Sequence, residues 1–302
     1  MKPPFLPVLL VGLLFSLPAC GAKTPATLPC WELSAQRALV QGNKAYLKGC
    51  YGLAHQHYQA GFEGYTAADQ ERGAALALNN LGNAYRMLHQ KEDALISYIE
   101  SARRAARLGD QDLEYRALAN RISLLLDLER PHEAMALMPD IPAAETHPGF
   151  IRPRARILHL QGKTDQAERL LREALVQATS SDKAGLYFSL GELLLSENSL
   201  QAAHQAFSQA LELDRAAGRF SALAGDLMAL ARCETRLGRD EEALDAARRA
   251  MEIWALMGDT QLLAIHEAFF MTLAEKSAMD LTLSRHFIQL WQTGRAVAGP
   301  CD

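Results

Sequence analysis

The sequence predicts an all-α fold, a solenoid of about six antiparallel helix pairs plus C-terminal capping helices, and three observations predict it. The first is composition: of 302 residues, 49% are hydrophobic and 22% charged. Alanine, leucine, glutamate and arginine dominate and β-branched clusters are few, which is a helical balance. The second is a recurring block. LNNLGNAYRMLHQKEDALISYIESA begins at Leu78 and YFSLGELLLSENSLQAAHQAFSQALEL at Tyr187, so that Leu81-Gly82, Tyr85, Ala94, Tyr98 and Ala102 are answered by Leu190-Gly191, Leu194, Ala203, Phe207 and Ala210. The third is a row of alanine anchors, Ala54, Ala94, Ala134, Ala167, Ala203 and Ala243, that return every 33 to 40 residues. Small residues at these places let two helices approach closely, and the large ones fill the space between them.

The first element in chain order is MKPPFLPVLLVGLLFSLPAC. Lys2 gives a basic start, Phe5 to Leu17 form a short apolar stretch, and Leu17-Pro18-Ala19-Cys20 sets a cysteine after a small residue. The stretch is too short for a hydrocarbon core that needs about 20 residues of helix. It resembles a bacterial lipoprotein signal ending in a lipobox. The resemblance implies removal of residues 1–19 and a lipid on Cys20, with palmitate among its acyl chains. Gly21 and Ala22 carry no inner-membrane retention aspartate, so it also implies the outer membrane, facing the periplasm. An ordinary secretory signal with a coincidental cysteine is the alternative. Residues 20–33 follow as lipidated N-terminus and tether. Gly21 to Pro29 is polar and proline-bearing, and reaches at most roughly 30 Å.

The solenoid is expected over 34–297, with pairs at 35–68, 75–108, 115–147, 148–181, 184–217 and 224–257, a degenerate cap at 262–296 and a tail at 298–302. The residues quoted above resemble the tetratricopeptide repeat, and the resemblance implies a right-handed α-solenoid. Several units exceed the usual ~34 residues, with the surplus at the end of the second helix, as in RRAARLGD from Arg103 and EIWALMGD from Glu252. They are similar to the long-helix repeats of kinesin light chains. The third pair is irregular. Ile122 replaces the usual glycine, and Pro139, Pro142 and Pro148 should end its second helix early. Either a ragged repeat in a continuous superhelix or a joint between two stacks would result.

Catalytic signals are missing from the sequence. His55 and His57, two residues apart, fall on different helix faces and are expected to face solvent. No phosphate loop, His-Glu-x-x-His or serine elbow occurs, so neither an enzyme nor a cofactor or metal is expected. The formal charge of −4, −5 once Lys2 leaves with the signal, gives no general attraction to nucleic acid or anionic lipid. Beyond Cys20 there are Cys30, Cys50, Cys233 and Cys301. A helix between Cys30 and Cys50 would hold them roughly 25 Å apart, beyond disulfide reach. Cys233 occupies a small packing position and is expected as a buried thiol. Cys301 is left as either a crosslink to another chain or an unpaired end.

The repeat resemblance implies that the first helix of each pair lines a concave groove. Position by position it offers Leu39, Asn43 and Tyr46, then Asn79, Asn83 and Arg86, then Arg116, Ser123 and Asp127, then Arg152, Arg156 and His159, then Phe188 and Glu192, and finally Met228, Arg232 and Arg236. Six arginines against two acids make a basic groove in an acidic chain, which suits an acidic peptide or tail. The alternative is that these arginines only solvate helix faces. The dicarboxylate clamp of chaperone-binding relatives does not carry over, because Leu39 and Asn120 depart from it although Asn43 and Asn80 match.

These readings converge on a non-enzymatic adaptor, lipid-anchored in the bacterial envelope, that recruits or positions a protein partner for pilus or secretion assembly, peptidoglycan-enzyme scaffolding or outer-membrane assembly. The rival is a sensor or carrier holding a cell-wall fragment or lipid in the groove. Phe269, Phe270, Phe287 and Trp291 load the C-terminal helices with aromatics, which fits either a homodimer contact or burial within one chain.

Overall fold

Helix pairs need small residues where two backbones meet, and each repeat of the computed structural model supplies them. The structure describes residues 30–141, 147–277, 279–294 and 301. The signal, Cys20 and the tether up to residue 29 lie outside the described residues, as do Pro142 and most of the tail. Among the described residues there are helices and no strands: α1 (Cys30–Leu47), α2 (Tyr51–Ala67), α3 (Glu71–Met87), α4 (Lys91–Leu108), α5 (Gln111–Asp127), α6 (Pro131–Leu137), α7 (Ile151–Leu160), α8 (Thr164–Gln177), α9 (Ser180–Ser196), α10 (Leu200–Ala217), α11 (Phe220–Arg236), α12 (Asp240–Met257), α13 (Thr260–Lys276) and α14 (Thr282–Gln292). Consecutive helices pack on one another from α1 to α6 and from α7 to α13; α7 packs on α5 across the irregular third pair, and α14 packs on α12. None of the described helices is long and apolar enough to cross a membrane.

The packing inside each pair follows a rule of matched volumes. A Cβ on Gly42, Gly82 or Gly191 would sit 2.6 Å from a ring carbon of Tyr58, Tyr98 or Phe207 on the following helix. Glycine is therefore required wherever the partner is aromatic. In the third pair Ile122 and Met138 belong to one cluster, and in the fourth Ala155 and Leu171 do. The larger first-helix residue thus goes with a smaller second-helix one, which is why Ile122 is tolerated.

Several element boundaries differ from the sequence expectation. Helix α1 begins at Cys30, inside the expected tether, with Glu32 in its first turn favoured by the helix dipole. The first helices of the second, third and sixth pairs begin about one turn early. Asp69, Gly109 and Gly218 take the left-handed conformation just past the preceding helix, and the next helix starts at once. Extra length is thus shared between neighbouring helices.

In the irregular third pair α6 has only 7 residues, and a 3-10 turn over Met138–Asp140 carries Pro139. The stack nonetheless continues across it. Ile157 of α7 joins the core of Ile122 and Phe150, while Ala155 of the same helix joins the large core that runs on to Leu281.

The superhelix closes on itself after one turn. Cys50, at the start of α2, forms a disulfide with Cys301, with Cα atoms 5.3 Å apart across 251 residues. Around it the turns of the first two pairs meet the junction of α12 and α13. His89 Nε2 lies 3.5 Å from Asp259 Oδ1, the backbone of Gly49 abuts the Met257 side chain, and Tyr51 and Ser221 line one cavity. Cys301, left open by the sequence, is therefore an intrachain partner. Cys233 is a buried free thiol that donates to the Leu200 carbonyl at 3.2 Å.

Candidate interaction groove

Closure turns the concave face into an interior with two adjoining cavities. One, about 520 Å³, is polar and lies across α3, α5, α7 and α9. The other, about 650 Å³, is apolar and lies between the first two pairs on one side and α9 to α13 on the other. Phe188, Glu192 and Ser196 line both.

The polar cavity is organised by Asp127. Arg86 Nη2 lies 2.5 Å from its Oδ2 and Arg156 Nη1 2.6 Å from its Oδ1. Arg156 also donates to the Leu126 carbonyl at 3.1 Å. One carboxylate cannot neutralise two guanidinium groups, and Arg152 beside them donates to a neutral hydroxyl, Ser189 Oγ at 3.0 Å. Desolvation, then the positive field of Arg86, pushes the Arg152 pKa below its ordinary value. Glu192 moves the other way, raised by burial although Arg156 and Arg152 pull it down. The site is thus short of negative charge.

In the apolar cavity, Tyr46 meets Tyr51 edge-on at 5.2 Å, and Trp254 stacks on His266 at 4.9 Å. Arg232 Nη2 is 3.3 Å from His266 Nδ1. Desolvation, with Arg232 adding to it, lowers the His266 pKa to about 4, so the imidazole is neutral at pH 7 and accepts from the guanidinium. Arg236 is committed to structure: it donates to the Leu195 carbonyl at 2.5 Å and to Asn198 Oδ1 at 2.9 Å.

Of the groove residues expected from sequence, Tyr46, Arg86, Arg152, Arg156, Arg232 and Arg236 line the cavities, as do Ser123, Asp127, His159, Phe188, Glu192 and Met228. Arg116 does not; it pairs with Asp112 one turn back at 3.1 Å. The asparagines form a ladder rather than an open row. Asn80 donates to Asn43 Oδ1 at 3.4 Å, Asn79 to Asn80 Oδ1 at 3.4 Å and Asn120 to Asn79 Oδ1 at 3.0 Å, with Asn79 only 4% exposed. Asn43 and Asn83 also accept from the Tyr58 and Tyr98 hydroxyls at 2.9 and 2.8 Å. Their role is to satisfy the buried tyrosines. His55 is half-buried against Tyr85 at 4.8 Å rather than facing solvent. Sequence reasoning missed Ser189, His266, Trp254 and Met87. Only Trp254, the large residue in an otherwise small-residue helix, carried a local signal. Among the described residues no group of three or more His, Cys, Asp or Glu could hold a metal ion.

Phe270 is buried, Phe269 and Trp291 pack on the main core, and Phe287 stacks on Trp291 at 5.3 Å while remaining 37% exposed. Packing within the chain accounts for most of that aromatic load.

Residues 184–216 match the family described as Tetratricopeptide repeat. No curated protein matches the sequence. Among solved structures, the chain is similar to the Rap conjugation gene regulator of the plasmid pLS20 in complex with a Phr peptide, at 15% identity over 93% of this chain and 80% of that one, TM-score 0.58. It is similar also to a Rap protein complexed with competence and sporulation factor, at 14% identity over 81% and 76% of the two chains, TM-score 0.55. A tetratricopeptide-repeat protein of Thermus thermophilus matches at 21% identity over 67% of this chain and 98% of that one, TM-score 0.49. The helix-pair stacking and the fold shared with the two Rap proteins make the chain an all-α solenoid of helix pairs, one of which, at residues 184–216, matches the tetratricopeptide repeat.

Proposed function

We propose that this protein is a non-enzymatic interaction module whose interior receives an extended acidic segment of a partner, and that a lipid on Cys20 holds it in the bacterial envelope, at the periplasmic face of the outer membrane. The observation that carries the reading is the charge of the groove. Arg86, Arg152 and Arg156 line the polar cavity against Asp127 and Glu192, inside a chain whose net charge is −4. Arginine presents a planar fork suited to carboxylates, and among the described residues the hydrogen-bond partner of Arg152 is a serine hydroxyl. The fold neighbours support the same use, since one is described with a peptide and the other with a competence and sporulation factor. Anchoring rests on the Leu17-Pro18-Ala19-Cys20 segment, and the short tether would keep the solenoid near the bilayer.

Arg152 is the position to test, because Arg156 and Arg236 are tied to backbone carbonyls and their reversal would disturb the scaffold. Crosslinking the protein in its native membrane, followed by mass spectrometry, is run on the natural chain, Arg152→Lys and Arg152→Glu. A partner retained by Arg152→Lys and lost by a folded Arg152→Glu supports the groove. A partner retained equally by all three refutes it and moves the interface to the convex face.

A further inference from the structure

We propose that the apolar cavity at the seam of the superhelix is a separate binding site, for a small amphiphile made of a hydrocarbon chain and one carboxylate. This goes beyond the acidic-segment reading, which concerns the polar cavity. At about 650 Å³ it lies within the ~300–1,000 Å³ range of small-molecule sites. Its walls come from both ends of the molecule: Tyr46, Tyr51 and Met87 from the first two pairs, and Phe188, Met228 and Leu262 from the other side. No single repeat contains such a surface.

The polar inventory of the cavity selects the ligand. Ser196 donates to the Leu193 carbonyl at 2.6 Å, Arg219 is paired with Asp214, and Arg236 is spent on Leu195 and Asn198. Arg232 is different. It is exposed toward the cavity, and its hydrogen-bond partner is the neutral His266. Glu192, at the mouth shared with the polar cavity, faces Arg152 and Arg156 as well as Arg232. Among the described residues the site therefore offers broad apolar walls and one cation, Arg232, with capacity for a carboxylate. A peptide backbone would need a row of amide partners, and the asparagines that could supply one, Asn43, Asn80 and Asn83, do not line this cavity and are engaged with one another or with tyrosines. A hydrocarbon chain asks for no such partners.

The test is isothermal titration calorimetry of the oxidised full chain with decanoate, decanol and a Gly-Gly-Gly-Leu-Phe peptide bearing a free C-terminus, on the natural chain and Arg232→Met. The expected result is decanoate binding at least ten-fold tighter than decanol. Arg232→Met, with circular dichroism confirming its fold, should erase that difference by weakening decanoate alone. Three results would overturn the proposal: no binding of either ten-carbon probe, equal binding of the two by the natural chain, or an unchanged preference in Arg232→Met. Binding of the peptide without decanoate would also overturn it and assign the cavity to a chain terminus. The Arg152 variants leave this cavity untouched, so either reading can fail alone.

Discussion

Removing the Cys50–Cys301 bridge should lower stability by an amount set by the loop it closes. The two cysteines are 251 residues apart. Chain-entropy reasoning for a loop of that length gives about 5 kcal/mol of destabilisation of the unfolded ensemble at 25 °C. The native seam keeps its other contacts, His89 with Asp259 and Gly49 with Met257, so the folded ring need not open when the bond is lost. In a solenoid, however, each repeat is held chiefly by its neighbours. The bridge joins the first pair to the end of the chain and removes one free end, so its loss should let the first pair fray before the rest. Urea unfolding of the oxidised natural chain and of Cys301→Ser, followed by far-ultraviolet circular dichroism, measures this. The expected outcome is a lower midpoint and a broader or two-step transition in the variant, with reductant bringing the natural chain to the same curve. Identical midpoints would refute the reasoning, and so would non-reducing peptide mapping that finds Cys50 joined to Cys30.

Asp226 should make stability fall with rising pH. It is buried, with burial first and the neighbouring Asp214 second pushing its carboxyl up to about 9. The unfolded chain releases that proton near pH 4 and the folded chain holds it, so the loss accumulates between about pH 4 and about pH 9. Asp226→Asn keeps a donor for Asp214, and thermal melts should show it gaining on the order of a few kcal/mol at pH 8 and almost nothing at pH 4. Gly82→Ala would drive a methyl to 2.6 Å from the Tyr98 ring, and overpacking of this kind costs about 1–3 kcal/mol; the paired Gly82→Ala/Tyr98→Leu chain should recover part of that in chemical denaturation. Cys20→Ser should abolish palmitate labelling in growing cells and release the protein from the membrane fraction, whereas unchanged labelling would place the lipid elsewhere.

What the sequence made legible was whatever repeats locally. Gly82 against Tyr98 and Gly191 against Phe207 are each separated by 16 residues, so one helix pair records the contact in its own sequence. Arg86, Arg152, Arg156, Arg232 and Arg236 were found from the same register, because a position fixed within the repeat is fixed on the concave wall. Register alone misplaced Asn79, whose neighbours Asn80 and Asn120 turn it into a buried rung. Arg116 lies on the same helix as Asp112 and was drawn away by an acid one turn back. The seam was invisible for a different reason. Each repeat adds a small rotation, and only their accumulated sum brings Cys50 to Cys301 and Tyr46 across from Phe188. No exposed aromatic run marked the apolar cavity, because its aromatic and aliphatic lining comes from α1, α2, α3, α9, α10, α11, α12 and α13, with one or a few residues from each. A site made by closure therefore depends on every intervening helix. Lengthening one turn in the irregular third pair, far from both walls, should disturb the apolar cavity more than the polar one, whose Arg86 and Arg156 meet on a single carboxylate across neighbouring repeats.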